Sequence, residues 1–492
     1  MKKIFTLTLL AGALIAQAKV YTLADLAQIV GTTENSYASG DETVTETIGI
    51  SVDGNVYTLT LPTKLADGVS GIGFDDNNIV LSKSYLTLIE GNDLTIGQDE
   101  TLLFAGAGMI EMSGTLTATN ATFGAAEGSE ATAKGFRIFG DNTSATISGC
   151  TFDKVGLNFG STNGCLKVED CTFNEHNSKS GNSAINFTSS CTGNEIKNCI
   201  FTDNQLSSVA SGANAGVGIT ITECTITKSI TSTRLYPAIN LSINNNDIII
   251  DGNFISGPAE NTRAGGIAVS NLLGTSTAGT IYVRNNHVQD CSYGITLTGG
   301  GNIRIEENTV LNNKYIANAN AGGSGINITC NGATNEANAY LRANTIQGNL
   351  WGVTVIGNAS TPNTHVNAGY VGNNRNDVEF NPGENVFIDN GNGGMLYDWY
   401  NNTLSESFAQ GNKWNVTEQT EELIENVIVH QADIATLGIV HFMPPYRANT
   451  AITDIEASAD KDSNRYYNIN GQQLTNPAAG IYIKDGRKVI VK

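Results

Sequence analysis

Groups able to hold or transform a ligand recur at one position of this 492-residue chain, just ahead of a repeated apolar strand. They are Arg234 with Tyr236, Glu260 with Arg263, Asp290 with Tyr293, Lys314 with Tyr315, and then Trp351. Aromatic rings stack on the apolar faces of sugars, and Arg or Lys pairs with an acidic group. Tyr236, Arg263, Tyr293, Lys314, Tyr315 and Trp351 are therefore the primary glycan-binding candidates. The strands that follow carry Asn186, Asn240, Ala268, Thr296, Asn327 and Thr354 at outward positions. Such neutral side chains can hold a ligand but transfer no proton near pH 7. Tyr282, Arg304 and Tyr340 form a secondary candidate face. Lys167, Glu169, Glu195, Lys197, Asp251 and Arg284 lie at neighbouring repeat positions with alternating sign, which favours a solvated ion-pair lattice over a binding face there. Only five histidines are present, so no metal and no cofactor is expected.

Along the chain, one frame repeats: apolar, two variable residues, Cys or Asn, one variable residue, apolar. It runs through Ile147–Phe152, Val168–Phe173, Ile196–Phe201, Ile221–Ile226, Ile250–Ile255, Val283–Val288, Ile305–Val310 and Leu341–Ile346, with Ala118–Phe123 as an earlier copy. Between copies lies a second strand, as in Ala184–Phe187, Ala238–Leu241, Gly294–Leu297 and Gly325–Ile328. Spacing varies: Cys150 to Cys171 is 21 positions, Asn308 to Asn344 is 36. A fixed local frame with variable spacing means strands stacked in register while loops differ in length, which is a parallel β-solenoid.

Stacking at ~4.8 Å places identical side chains over one another. Cys150, Cys171, Cys199, Cys224, Asn253, Asn286, Asn308 and Asn344 are thus expected to form a structural ladder at a bend between two strands. Asn amides would bond along the stack, and Cys would serve as a small buried apolar residue. Parallel Cβ directions suit disulfides poorly, so free thiols are expected there. Cys165, Cys191, Cys291 and Cys330 lie off this ladder, with their pairing open.

The Asn308-Thr-Val310 and Asn344-Thr-Ile346 turns and the Gly-Ile-x-Leu strands resemble the right-handed parallel β-helix proteins of the pectate-lyase-like superfamily, over roughly residues 90 to 445. The resemblance implies polysaccharide chemistry. Polygalacturonases of that superfamily use Asn-Thr-Asp, Gly-Asp-Asp and Gly-His-Gly, none of which occurs here. Pectate lyases use aspartate clusters for calcium and an Arg or Lys base. Asp75-Asp76 lies far upstream and reads as a turn, leaving Arg263 or Lys314 as the base a lyase would use.

The ends differ. Residues 1–18 show a basic start, an apolar run and Ala16-Gln17-Ala18, the pattern of a signal peptide. Residues 19–90 are expected to form an N-terminal cap, with a helix over 20–30 begun by Thr22 and Asp25, and lead-in strands. The β-helix is expected over 91–446 and a linker over 447–465. Residues 466–492, with Asn470-Gly471, Gly480-Ile-Tyr-Ile483 and a basic terminus, resemble the C-terminal sorting domain of type IX secretion in Bacteroidetes, which implies the secretion machinery as partner.

The fold expected is all-β: a right-handed parallel β-helix with a helical cap and a small C-terminal β-domain. Charged residues are only 15%, and the net charge of −20 argues against nucleic acid and anionic membrane as partners. No run after the leader is long and apolar enough to span a bilayer. The reading is a secreted or surface-displayed protein that engages a polysaccharide or acts as an adhesive rod without catalysis. The alternatives are a polysaccharide lyase or glycoside hydrolase, and a structural spacer.

Overall fold

The structure, a computed structural model, describes residues 19–66, 68–176, 183–228, 230–231, 236–259, 263–271, 279–330, 336–358, 360–372, 378–446, 466–468, 473–474, 477–484 and 487–491. The expected leader, the linker and the Asn470-Gly471 turn lie outside them, as do Arg234 and Glu260. The chain divides into two compact units, one ending at Tyr446 and one beginning at Arg447.

The first unit is a parallel β-helix of three sheets, which among the described residues hold 14, 14 and 15 strands, the lead-in strands before residue 90 pairing partly antiparallel. One turn of the coil shows how the repeat folds. Ile248–Asp251 lies in sheet 1, Asn253 makes the bend, Phe254–Ser256 lies in sheet 2, and Ala264–Ser270 lies in sheet 3. Thr280–Arg284 then pairs in parallel on Ile248–Asp251. Parallel pairing begins before position 91, where Val56–Thr60 pairs with Thr101–Ala105.

Alternation sends every second side chain inward. Ile250, Val283, Ile305 and Leu341 stack inside sheet 1, each 0% exposed. In the earlier coils Phe123, Phe152, Phe173 and Phe201 stack with ring centroids 4.8, 4.5 and 4.9 Å apart. The bend needs a left-handed residue just before the ladder position. Gly252 supplies it without strain at φ 67°, whereas Glu307 and Ala343 adopt φ 58° and 53°.

At the bend, the backbone N–H of Cys224, Asn253, Asn286 and Asn308 each donates to the Oδ1 of the next asparagine at 3.0 Å. The stack continues through Asn344 to Asn385 and Asn412, two members beyond those read from the sequence. In the early coils Cys150 N–H donates to Cys171 Sγ at 3.4 Å. All eight cysteines are free thiols.

Leu23–Val30 is a helix whose capping box joins Thr22 and Asp25 and whose Leu23, Leu26 and Val30 are buried. Asp75, Asp76 and Asn77 turn a short hairpin with positive φ, and Asp75 holds Lys19 Nζ at 2.8 Å. Among its described residues the second unit has four short antiparallel strands. No helix among the described residues is long and apolar enough to cross a membrane.

Candidate functional site

The outer face of sheet 3 aligns one side chain per coil. Asn158, Asn186, Ala210, Asn240, Ala268, Thr296, Asn327 and Thr354 are successive register partners. A second column, two residues on, runs through Ser242, Ser270, Thr298 and Thr329. Between them lies a cleft of about 500 Å³. Asn240, Ala268, Thr296 and Asn327 form its floor, and Tyr293 and the segment Ala319–Gly322 complete its lining.

The floor is held by its own hydrogen bonds. Asn327 Nδ2 donates to Thr296 Oγ1 at 3.0 Å, and Ser324 and Thr354 hydroxyls meet at 2.7 Å. Earlier in the same column, Asn186 Nδ2 donates to Asn158 Oδ1 at 3.2 Å. Among the described residues, the only titrating side chain in the cleft lining is Tyr293, and burial pushes its phenol above the ordinary value of 10.0. In this floor the side chains of Asn240, Thr296 and Asn327, with Ala268 interrupting the row, are suited to accept and donate hydrogen bonds and unsuited to proton transfer. Charge enters the column only in the first coils, where Arg137 pairs with Glu111 and lies over the Phe139 ring at 4.9 Å.

The primary candidates are not equivalent: Tyr236 and Trp351 begin strands of this sheet and Arg263 immediately precedes one. Arg263 and Lys314 are exposed, and Tyr236 and Tyr315 are half-buried. Tyr293 and Trp351 are only 9% and 8% exposed. A Cβ on Gly265 would lie 2.3 Å from Tyr293 Cζ, so this ring lies close against the backbone of the neighbouring coil. The Trp351 ring sits against Gly323 and 6.4 Å from Tyr397. Both rings are thus largely covered by neighbouring coils, at the backbone of Gly265 and Gly323. Tyr293 contributes to the cleft lining only from this packed position.

On sheet 1, the alternating charges of the early coils pair across strands. Lys167 meets Glu195 at 3.1 Å, Lys197 meets Glu169 at 3.0 Å, and Arg284 meets Asp251 at 2.8 Å. All are substantially exposed and add little stability. Tyr282, Arg304 and Tyr340 are register partners on the same face. Arg304 lies 4.0 Å over the Tyr340 ring and bonds Glu306 at 3.0 Å, so its charge is already engaged.

A second internal ladder went unread in the sequence. Cys291 N–H donates to Asn313 Oδ1, Asn313 to Asn349, and Asn349 to Asn390, at 2.9 to 3.2 Å. Each lies five positions after a first-ladder asparagine: 286 to 291, 308 to 313, 344 to 349, 385 to 390. That constant offset was the available signal. In earlier coils His176 N–H donates to Asn204 Oδ1, and Lys228 pairs with Asn204. Lys228 is 1% exposed; its Nζ donates to the carbonyls of Asn204, at 3.2 Å, and Leu206. Burial pulls its ammonium down to about 7. No cluster of His, Cys, Asp and Glu suited to a metal occurs among the described residues.

No family model matches the chain, and no curated protein does. Among solved structures, a point mutant of the periplasmic alginate epimerase AlgG is similar over 87% of this chain and 83% of its own, at 13% identity and a TM-score of 0.42. The Dettilon tailspike protein gp208 is similar over 60% of each chain, at 16% identity and a TM-score of 0.23. A mutant tailspike protein of E. coli bacteriophage HK620, in complex with a pentasaccharide, is similar over 78% of this chain and 71% of its own, at 11% identity and a TM-score of 0.25.

Proposed function

We propose that the protein binds a polysaccharide along the outer face of sheet 3 without transforming it, as a secreted or surface-displayed adhesive β-helix. The observation that carries this reading is the cleft over Asn240, Ala268, Thr296 and Asn327, lined by amides and hydroxyls in coil register. Register spacing of ~4.8 Å is close to one sugar residue, so a chain lying along the helix axis passes one floor residue per step, with the amides of Asn240 and Asn327 and the Thr296 hydroxyl among them. Affinity then accumulates over several coils from individually modest contacts. Arg263, which immediately precedes a strand of this sheet, and Lys314 are exposed. Right-handed winding is the sense that parallel crossovers strongly prefer. The helix Leu23–Val30 covers the first coils, keeping an open parallel edge from pairing with other chains. Residues 466–492 serve as the sorting signal for type IX secretion.

The test is a polysaccharide array probed with the full chain and with an Asn240→Leu, Thr296→Val double variant. The wild type should retain at least one polysaccharide, and the variant should lose at least tenfold in affinity. An empty array, or unaltered affinity in a folded variant, rules out this cleft. Release of ultraviolet-absorbing or reducing products from the retained polysaccharide would favour the lyase or hydrolase alternative.

A further inference from the structure

The outer face of sheet 1 changes character in its last coils. Tyr340, Asn367, Phe408 and His441 are successive register partners there. Phe408 is half-buried and stands at the centre of a ring cluster. His441 stacks on it at 5.1 Å and 16°, Tyr370 meets it edge-on at 5.2 Å, and His365 lies at 6.4 Å. Beside this cluster opens a second cleft, of about 550 Å³, on a different sheet from the first.

Its lining joins Phe408 and His365 to the carboxylates of Glu336 and Glu406 and the amide of Asn338. Glu406 is bonded to His441 Nε2 at 3.0 Å, which fixes the carboxylate at the rim. The side chains of Glu336 and His365 make no hydrogen bond among the described residues, and both are exposed. An apolar ring face beside acceptor carboxylates is complementary to one kind of ligand. A pyranose ring offers C–H groups on its faces and O–H donors at its edge, and hydroxyl-to-carboxylate bonds are charge-assisted. A uronate or sulfated sugar would instead meet two carboxylates on a chain of net charge −20.

We propose that this cleft is a second glycan site, specific for an uncharged pyranose chain and independent of the cleft on sheet 3. It shares with the proposed function only the class of ligand. Phe408, with one ring face covered by His441, and His365 together supply the apolar surface of the lining, and Glu336 and Glu406 accept sugar hydroxyls.

Isothermal titration of the full chain with cellohexaose, xylohexaose, mannohexaose and maltohexaose, and with hexagalacturonate as the acidic probe, tests it. At least one neutral hexasaccharide should bind, and hexagalacturonate should not bind this cleft. Phe408→Ala should weaken the neutral ligand at least tenfold. Because Phe408 also packs on Tyr370, the Glu336→Gln, Glu406→Gln variant gives a second reading with both side-chain volumes kept. It should weaken the neutral ligand several-fold. The Asn240→Leu, Thr296→Val variant should leave this site unaltered, so failure of one cleft is told apart from failure of the other. Binding of no neutral hexasaccharide overturns the proposal. So does neutral binding indifferent to both sheet 1 variants, or hexagalacturonate binding that Phe408→Ala abolishes.

Discussion

Lys228 turns the interior of the coil into a measurable pH dependence. Its ammonium lies inside the second ladder, bonded to backbone carbonyls, with its ordinary value of 10.5 pulled down to about 7 by burial. The folded state therefore holds fewer protons than the unfolded state between pH 7 and 10.5. Stability rises with pH across that window and is flat below it, where both states carry the charge. At ~1.4 kcal/mol per pH unit the full rise is about 5 kcal/mol. Lys228→Met removes the charge and keeps most of the volume, so the variant should lack this rise. It also leaves the carbonyls of Asn204 and Leu206 without a donor, at a cost of about 1–3 kcal/mol each. At pH 7 the two effects largely offset; at pH 10 the wild type should be more stable by several kcal/mol. The nearby Cys291 thiol is pushed up to about 12 by burial and stays neutral throughout. The assay is urea unfolding followed by far-ultraviolet circular dichroism, wild type against variant, at pH 7 and 10. Other groups titrate in both proteins and cancel in the difference. A difference constant to within about 1 kcal/mol between the two pH values would refute the burial argument.

Asn308→Leu or Asn344→Leu should destabilise by about 1–3 kcal/mol for each buried group left unpaired. For Asn308 those groups include the Asn286 N–H, the Asn286 amide and the Val283 carbonyl, so a strong loss is expected. Thermal unfolding of both variants checks it, and two unchanged melting curves would contradict the ladder's contribution. Deleting residues 452–492 should leave the β-helix folded while abolishing surface delivery in the native host. Surface levels equal to wild type by immunoblot of intact cells would remove the sorting role.

The coil was legible because its signal is local and repeated. Apolar-x-x-Asn-x-apolar fixes which side chains point inward, and a one-residue slip would turn Ile250 or Val283 outward. The candidate site was less legible because exposure depends on what the adjoining coil carries. Tyr293 and Trp351 look like free rings in sequence, yet each lies close against the backbone of a neighbouring glycine, Gly265 or Gly323, and is largely covered. Register across coils was equally hidden. Tyr340, Asn367, Phe408 and His441 are 27, 41 and 33 positions apart, yet they are register partners on one face. Unequal loops conceal such a column until the pairing is known.

The two clefts follow from one property of the solenoid. Its interior is committed to stacking, so each inward position must match its neighbours above and below. Outward positions carry no such constraint, and similar groups there extend into a row at coil spacing. Sheet 3 extends amides and hydroxyls interrupted by Ala210 and Ala268, and late sheet 1 extends rings interrupted by Asn367, with carboxylates beside them. A polymer is the ligand that can use a row, because its successive units reach successive coils. A compact ligand would engage one or two coils and gain little from the rest. Affinity should therefore grow with oligosaccharide length until the row is filled. On sheet 3, the cleft floor from Asn240 to Asn327 spans four coils. Titration with a graded oligosaccharide series should show affinity for this cleft ceasing to rise once a ligand covers those four steps, and an affinity independent of length would refute a row-like site.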